Sequence, residues 1–233
     1  MQVLPHQFLK AFMAHSQQFH FFQTVKKYYP EFFHGGRVAE IGSLNINGSI
    51  RDCFTCDEYT GFDVSAGRGV DEVQQGQLIT LPSGYYDVTA SAECFEHNPF
   101  WVETFANMLR LTKPGGLVIF SCATTGRQEH GTSRTDPNDS PLTAELGWNY
   151  YRNLNAQDFL DTFNLPGWFD CFHFLVCPQT FDLYFYGIRT QPDRAFDEQR
   201  FVNGIFPFEQ EMYQLTNSVR IGVWTSKIGW NPR

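Results

Sequence analysis

One stretch, from Arg37 to Asp63, constrains the fold of this 233-residue chain more than any other. Its sequence is RVAEIGSLNINGSIRDCFTCDEYTGFD, in which a short apolar run ends on Glu40 and leads directly into a loop containing Gly42 and Gly48. A second apolar run ends on Asp63, 21 residues after Gly42. The pattern predicts two neighbouring strands of a parallel sheet. Their ends would bring a closely approaching backbone turn and a ribose-binding carboxylate to one nucleoside-bearing ligand.

Apolar runs of strand length recur along the chain and alternate with helical segments. They fall at 37–41, 59–64, 69–73, 86–91, 117–122, 169–176 and 182–188. The clearest helix is predicted to have Asn98 as its N-cap and Pro99 at its first position. Such alternation predicts a doubly wound α/β fold, and the last two runs are close enough to form an antiparallel hairpin at the end of the sheet.

The chain divides into three segments by its residue pattern. Residues 1–34 are predicted to form a helical cap, because aromatic residues such as Phe19 and Phe22 recur at helical spacings. Residues 35–190 hold the alternating strands and helices and form the main domain. Residues 191–233 are an aromatic, amphipathic extension that we expect to pack on this domain or on a partner subunit. Self-association into a homo-oligomer is compatible with that surface.

The overall charge argues against two classes of partner. The chain has a formal net charge of −8 and no basic run, so we expect it to bind neither nucleic acid nor an anionic membrane. No segment approaches the ~20 apolar residues that span a bilayer, and the first residues lack the pattern of a signal peptide. Several of the six cysteines lie in apolar, strand-like segments, where they do not suggest a disulfide framework. The sequence therefore predicts a cytoplasmic protein.

The loop after the first strand narrows the choice of ligand. A dinucleotide site needs a second glycine two positions after Gly42, where the backbone approaches the pyrophosphate, but this chain has Leu44 there. A P-loop motif is also absent from the sequence. A ligand with a ribose and no phosphate suits the loop better, and Leu44 opposes a nicotinamide-dependent dehydrogenase.

Four motifs in order resemble those of a known family. They are AEIGSLNINGS, GFDVSAGRGVDEV, YDVTASAECFEH and LRLTKPGGLVIFS. At these separations they resemble the successive motifs of the S-adenosylmethionine-dependent methyltransferases of the Rossmann-like class (class I), across residues 35–190. The resemblance implies a Rossmann-like, doubly wound, seven-stranded sheet. This sheet would be mostly parallel, with an antiparallel last strand and helices on both faces. It also implies S-adenosyl-L-methionine as the cofactor and S-adenosyl-L-homocysteine as its product.

The resemblance also assigns a cofactor site, from the methionine portion to the adenine. The residues that it implies are Glu40, Gly42, Ser43, Asn47, Gly48, Asp63, Val64, Gln75, Gln77, Leu78 and Glu93. Asp63 would accept hydrogen bonds from the ribose hydroxyls, and Val64 would pack on the adenine. The chain departs from the family pattern in two places. Leu44 replaces a glycine, and Gln75 or Gln77 stands where an acid often faces the adenine amino group.

Two histidines are the candidate catalytic bases for a hydroxyl acceptor. His97 follows the fourth strand, and His130 lies in a long polar loop at 123–141. Loop structure without catalysis is the alternative for both. The candidate acceptor-binding residues lie in or just after this loop: Arg127, Glu129, Arg134, Asp136, Trp148, Tyr151 and Arg152.

These features favour O-methylation of a small molecule or a sugar or glycan acceptor. N- or C-methylation of a small metabolite and a non-catalytic cofactor-binding scaffold remain open as alternatives. We expect no metal ion. Cys53 and Cys56 have zinc-like spacing without a second pair, and the spacing of the acids and histidines near the site requires no metal.

Overall fold

The computed structural model describes residues 13–225, which fold around one eight-stranded sheet. The strands are β1 (Arg37–Ile41), β2 (Glu58–Asp63), β3 (Glu72–Val73), β4 (Tyr86–Ala92), β5 (Thr112–Ala123), β6 (Phe169–Cys177), β7 (Asp182–Arg189) and β8 (Val219–Thr225). The helices are α1 (Met13–Tyr28), α2 (Trp101–Leu111), α3 (Pro141–Glu145), α4 (Ala156–Thr162), α5 (Leu165–Trp168) and α6 (Glu198–Thr216).

The strand order across the sheet is β3-β2-β1-β4-β5-β7-β6-β8. Strands β1 to β5 pair in parallel, while β7 is antiparallel to both β5 and β6. The predicted Rossmann-like α/β class and the antiparallel hairpin are therefore confirmed.

The predicted count of seven strands is wrong by one. The eighth strand, β8, comes from the 191–233 extension and pairs antiparallel with β6 at the edge of the sheet. It follows α6 through Asn217, whose left-handed backbone (φ 50°) lets the chain reverse onto the sheet. The extension thus adds a helix and a strand to the same core.

Two hydrophobic clusters cover the two faces of the sheet. On one face α1 and α6 contribute Phe21, Phe22 and Met212 to a buried cluster, and Phe21 stacks on Tyr184 of β7 with ring centroids 4.7 Å apart. On the other face the core is formed by α2 and α4, whose Phe159 stacks on Phe120 of β5. Helices on both faces are what a doubly wound sheet requires to bury its apolar strands.

Helices α2 and α4 begin in different ways. Helix α2 begins at Trp101, two residues later than predicted, because the Asn98 side chain accepts a hydrogen bond from the Phe100 N–H before the helix starts. Helix α4 begins with a capping box, in which Asn155 and Asp158 bond each other's backbone N–H groups.

The N-terminal prediction can be followed only in part. Phe22 is buried and Phe19 is 39% exposed, whereas the first twelve residues lie outside the described range. The three-segment division at 34 and 190 stays a prediction. Within residues 13–225, no helix is long and apolar enough to cross a membrane.

The topology places the candidate site at one edge of the sheet. Chain order reverses between β1 and β4, which lie side by side with Glu40 opposite Ala90 and Ile41 opposite Ser91. At such a reversal the loops leaving the carboxyl ends of the two strands diverge and open a crevice.

Candidate functional site

A cleft of about 900 Å³ opens at the carboxyl ends of β1, β2 and β4. Its walls come from the loop after β1, the ends of β2 and β4, the loop after β5, and the beginning of α1. Ser16, Gln18 and Phe19 form the α1 part of the wall. Gln18 is fixed there, because its side-chain amide donates a buried hydrogen bond of 2.8 Å to Ser121 of β5.

Gly42 stands where β1 turns into its loop and lines the cleft. Its φ of 78° lies in the left-handed region, and a Cβ at this position would come within 2.6 Å of both Cβ and Sγ of Cys94. Both the backbone conformation and the close approach of the loop after β4 therefore require glycine. Asn47 and Gly48, from the same loop, also line the cleft.

Asp63 ends β2 and joins this loop to the sheet. One carboxylate oxygen accepts a hydrogen bond from the Leu44 N–H (2.9 Å), and the other accepts one from the Val64 N–H (2.7 Å). Burial raises the pKa of this carboxyl, and the two backbone donors partly offset that effect. Asp63 also faces the cleft, so its remaining lone pairs are available to a ligand.

Glu40 and Ser43, at the end of β1, are assigned to the cofactor by resemblance but do not line the cleft. Glu40 is fully buried and accepts a hydrogen bond of 2.8 Å from the Tyr59 hydroxyl, and burial raises its pKa to about 7. Ser43 is also buried, with its hydroxyl close to Gly61 of β2. Because alternate residues of a strand face opposite sides of the sheet, a motif match does not guarantee that each side chain reaches the ligand.

A smaller cavity of about 30 Å³ continues from Gly42 and Asp63 towards α2. Val64, Gln77 and Trp148 lie in its wall, together with Gln74. Trp148 was predicted to contact the acceptor, but the structure places it on the side of the cavity where the resemblance puts the adenine.

The other two residues assigned to the adenine edge do not line this cavity. Gln75 accepts a hydrogen bond from Gln77, and Leu78 is 57% exposed. These side chains belong to a single 3-10 turn, whose orientation a sequence pattern does not define.

Both candidate histidines line the same cleft. Their ring centroids are 4.8 Å apart and the rings are nearly perpendicular. Tyr151 packs behind them, with ring centroids 5.5 Å from His97 and 5.0 Å from His130, and its hydroxyl donates to the Gln128 carbonyl. Tyr151 is therefore a support for the histidines and does not form part of the cleft wall.

The charged residues of the 123–141 loop divide into two groups. Arg127, Glu129 and Asp136, three of the residues predicted to bind the acceptor, line the cleft. Arg134 lies outside the wall and pairs with Glu129 at 2.7 Å.

Arg152 is directed away from the cleft by its own ion pair. Its guanidinium contacts Asp158 of α4 at 2.5 Å, and its backbone N–H donates to the Glu96 carbonyl. Arg152 thus secures the chain after the loop and does not face an acceptor.

Burial changes the chemistry available to His97. Desolvation, with smaller effects from His130 and Arg127, lowers the pKa of His97 to about 3. The ring is therefore a neutral imidazole near neutral pH, and such a low pKa makes it a weak general base. This weighs against His97 in the predicted catalytic role. His130 is only partly buried and keeps access to the cleft.

Buried acids lie beneath the histidines, and sequence alone did not assign all of them. Glu93 has a left-handed backbone (φ 50°), and neither of its carboxylate oxygens has a hydrogen-bond partner. Glu96, which the sequence did not assign to the site, is fully buried, and its pKa is raised well above the usual range by desolvation and by Glu93. Asp182 pairs with Arg127 at 2.9 Å.

Comparison with known proteins agrees with this geometry. Residues 51–120, from the end of the β1 loop to β5, match the model of a family described as a methyltransferase domain. No curated protein matches the sequence.

Two solved structures have a similar fold. One is phosphoethanolamine N-methyltransferase 2 from Haemonchus contortus, in complex with phosphomonomethylethanolamine and S-adenosylhomocysteine. Its TM-score is 0.54 and its identity 14%, over 73% of this chain and 52% of that one. This chain thus spans about half the length of that enzyme. The other is a methyltransferase from Thermotoga maritima dependent on S-adenosylmethionine (TM-score 0.52, 14% identity), with 79% of this chain and 95% of that one covered. At these identities the similarity establishes the fold.

The domain match, the strand order and the cleft at the carboxyl edge agree with the resemblance found in the sequence motifs. Residues 51–120 are thus similar to a methyltransferase domain, and the sheet has the Rossmann-like fold of the two solved methyltransferases.

Proposed function

We propose that this protein transfers the methyl group of S-adenosylmethionine to a hydroxyl group of a small, polar acceptor, a sugar or glycan among them. One observation carries the proposal: the cleft is continuous from Gly42 and Asp63, at the cofactor end, to His97 and His130. Donor and acceptor can therefore be held in one enclosure, and such positioning supplies a large part of the rate enhancement in a bimolecular transfer.

The residues at the cofactor end fit the methyl donor. Asp63 presents a partly buried carboxylate to a ribose, and Val64, Gln77 and Trp148 offer an apolar and amide-lined space to a base. Gly42 allows the ligand to approach the backbone between β1 and β4. When bound, S-adenosylmethionine supplies an electrophilic methyl group on a sulfonium centre.

The residues at the acceptor end suit a polyhydroxylated ligand. Arg127 can donate hydrogen bonds, while Glu129 and Asp136 can accept them, and all three line the cleft. His130 is the remaining candidate for receiving the hydroxyl proton, since it lines the cleft and is less buried than His97. Helix α1 closes the side of the cleft through Gln18 and limits the access of water.

A second candidate function is methylation of an amine. The cleft wall is strongly acidic, and its one lysine or arginine among the described residues, Arg127, is already paired with Asp182. The acids in the wall are Asp52, Asp63, Glu93, Glu129, Asp136 and Asp139. Such a wall attracts a cation, so the charge of the cleft also suits an ammonium-bearing acceptor.

A single set of assays separates these functions. Isothermal titration with S-adenosylhomocysteine measures cofactor binding, and accumulation of S-adenosylhomocysteine from S-adenosylmethionine is then followed with separate pools of sugars and amines. We expect binding, turnover with the sugar pool, and loss of both in Asp63→Ala. Glu103→Gln, an exposed substitution on α2, serves as the control. Turnover with amines alone would replace the first candidate by the second. Binding without any turnover would favour a scaffold, and no binding would refute the proposal.

We also propose a reducing compartment, the cytoplasm, as the location of the protein. All six cysteines are free thiols, and four of them, Cys53, Cys122, Cys171 and Cys177, are buried in the core. Free thiols are typical of proteins kept under reducing conditions. Cell fractionation with a tagged chain tests this, and recovery from a secreted or membrane fraction would contradict it.

A further inference from the structure

A histidine and glutamate cluster lies at the acceptor end of the cleft, where the sequence led us to expect no metal ion. One carboxylate oxygen of Glu96 and one ring nitrogen each of His97 and His130 lie within 4.8 Å of one another. Glu96 and His97 belong to the short turn that follows β4, and His130 belongs to the loop after β5. The sequence did not show this cluster, because its third member lies 33 residues after His97 and approaches only through the fold.

The buried carboxyl group of Glu96 lacks a hydrogen-bond partner. Its side chain is fully buried, and neither carboxylate oxygen accepts a hydrogen bond of ordinary geometry. Burial of a carboxyl group without a hydrogen-bond partner is unfavourable, so native proteins rarely leave one unsatisfied. A bound cation would remove this cost.

Each of the two histidines has a ring nitrogen that is available to coordinate a metal ion. Nδ1 of His97 is buried without a hydrogen-bond partner. Nδ1 of His130 lies 3.1 Å from the Gln128 carbonyl oxygen, and because a carbonyl can only accept, this nitrogen carries the proton in the neutral ring. Nε2 of His130 then keeps its lone pair. A histidine that donates one N–H to a backbone carbonyl is the usual arrangement around protein-bound metals.

The loop that carries His130 is itself held in place. The Tyr151 hydroxyl donates to the same Gln128 carbonyl, and the Asn153 side chain donates to the Arg127 carbonyl at 2.8 Å. Arg127 is anchored to Asp182 of β7. These bonds limit the movement of His130, and only a small closing movement is needed to bring the three ligand atoms to within coordination distance of one ion, roughly 2.0–2.2 Å for zinc.

We propose that Glu96, His97 and His130 bind one divalent transition metal ion, with Zn²⁺ as the best match to two imidazoles and one carboxylate. Three protein ligands would leave a coordination position open to a further ligand, and two of them, His97 and His130, line the cleft. With the ion bound, His130 would be a ligand and could not also receive the hydroxyl proton. The ion would instead hold the acceptor hydroxyl and lower its pKa, so that the proton would pass to water. This role rests on the proposed O-methylation, whereas the metal site itself does not.

Metal binding is tested directly on the full chain without an affinity tag, after treatment with a chelator. Isothermal titration with Zn²⁺ and metal analysis after dialysis should show one ion per chain, and Co²⁺ should give the visible absorption of a four- or five-coordinate site. Glu96→Gln and His130→Gln should each weaken Zn²⁺ binding by more than about 100-fold, because removing a ligand costs more than disturbing its support. His34→Gln and Glu103→Gln, which change exposed residues, should bind as the wild type does.

A second measurement avoids the risk that a buried variant fails to fold. In the wild type, the ring signals of two of the seven histidines should shift when Zn²⁺ is added, as observed by NMR. The proposed site would be overturned if the wild type did not bind Zn²⁺, or if Glu96→Gln and His130→Gln both bound Zn²⁺ as the wild type does. A protonated carboxyl group would then explain the burial of Glu96. S-adenosylhomocysteine titration, run on the same samples, reports separately on the cofactor end. Full turnover in the presence of chelator would refute the catalytic role while the site itself stands.

Discussion

Replacing Gly42 by alanine should destabilise the protein through two separable effects. The first is the backbone, whose φ of 78° lies in the left-handed region and costs a residue with a Cβ ~1–2 kcal/mol. The second is contact, because the new Cβ would meet the Cβ and Sγ of Cys94 at 2.6 Å, and relief of such overpacking costs ~1–3 kcal/mol more. We therefore expect Gly42→Ala to lower the free energy of unfolding by ~2–5 kcal/mol.

Gly147→Ala is the matched control for this experiment. Gly147 has a φ of 72°, but a Cβ there would meet nothing within 4 Å, so only the backbone cost of ~1–2 kcal/mol applies. Any stabilisation from a less flexible unfolded chain is common to both variants and cancels in their comparison. Urea unfolding gives both values, and titration with S-adenosylhomocysteine should show a loss of affinity only in Gly42→Ala.

A double-mutant cycle isolates the contact itself. Cys94→Gly removes the Cβ and Sγ, leaving the Cys94 Cα, at 3.8 Å, as the nearest remaining neighbour. The two substitutions should therefore be less than additive, with a coupling energy of ~1–3 kcal/mol. Equal destabilisation by Gly42→Ala and Gly147→Ala, together with strict additivity in the cycle, would show that the approach of the two loops does not matter.

Three further predictions concern separate features. The pKa of Glu40 rises from 4.5 to about 7 on folding, so its stabilising effect is complete below about pH 4.5 and is lost as the pH rises through about 7. Urea unfolding should show that the free energy of unfolding of the wild type falls by an amount on the order of 3 kcal/mol across that pH window, and that Glu40→Gln abolishes this fall. The same pH profile in the wild type and in Glu40→Gln would contradict the pKa shift. Asp63→Asn leaves a single side-chain oxygen to accept from the N–H groups of Leu44 and Val64. Because one hydrogen bond is then lost, titration should show that S-adenosylhomocysteine binds more weakly by ~1.5–3 kcal/mol. Asn155→Ala removes the capping box of α4 and should cost about 1 kcal/mol in thermal or urea unfolding, with cofactor affinity unchanged.

The sheet and its binding edge could be predicted from sequence because they depend on local patterns. Apolar runs of strand length, a glycine loop and an acid at a strand end defined β1, β2 and the position of Asp63. Strand β8 was missed, because an edge strand in an extension is recognisable only when its partner, β6, is known. Glu40 shows a second limit, since the side of the sheet that a strand residue faces depends on tertiary packing.

The acceptor end was predicted less completely, for a related reason. His97 and His130 were singled out separately, but nothing in their sequence positions shows that their rings meet, or that Glu96 lies buried beside them. Trp148 was assigned to the acceptor because it follows the polar loop, yet the chain folds back and delivers it to the other cavity. Long loops follow no periodic pattern, so their side chains can be placed only with the fold in view.

The position of α1 determines which residues of the cleft wall can be substituted during evolution without disturbing the sheet. The wall that faces the proposed methyl donor is made by strand ends that also hold the sheet together, whereas Ser16, Gln18 and Phe19 reach the cleft from a helix packed on the outside of that sheet. The strand ends that carry Gly42 and Asp63 can therefore stay unchanged while exposed residues of α1 vary. Exchange of Ser16 or Phe19 would alter the wall of the cleft without altering the sheet that supports it.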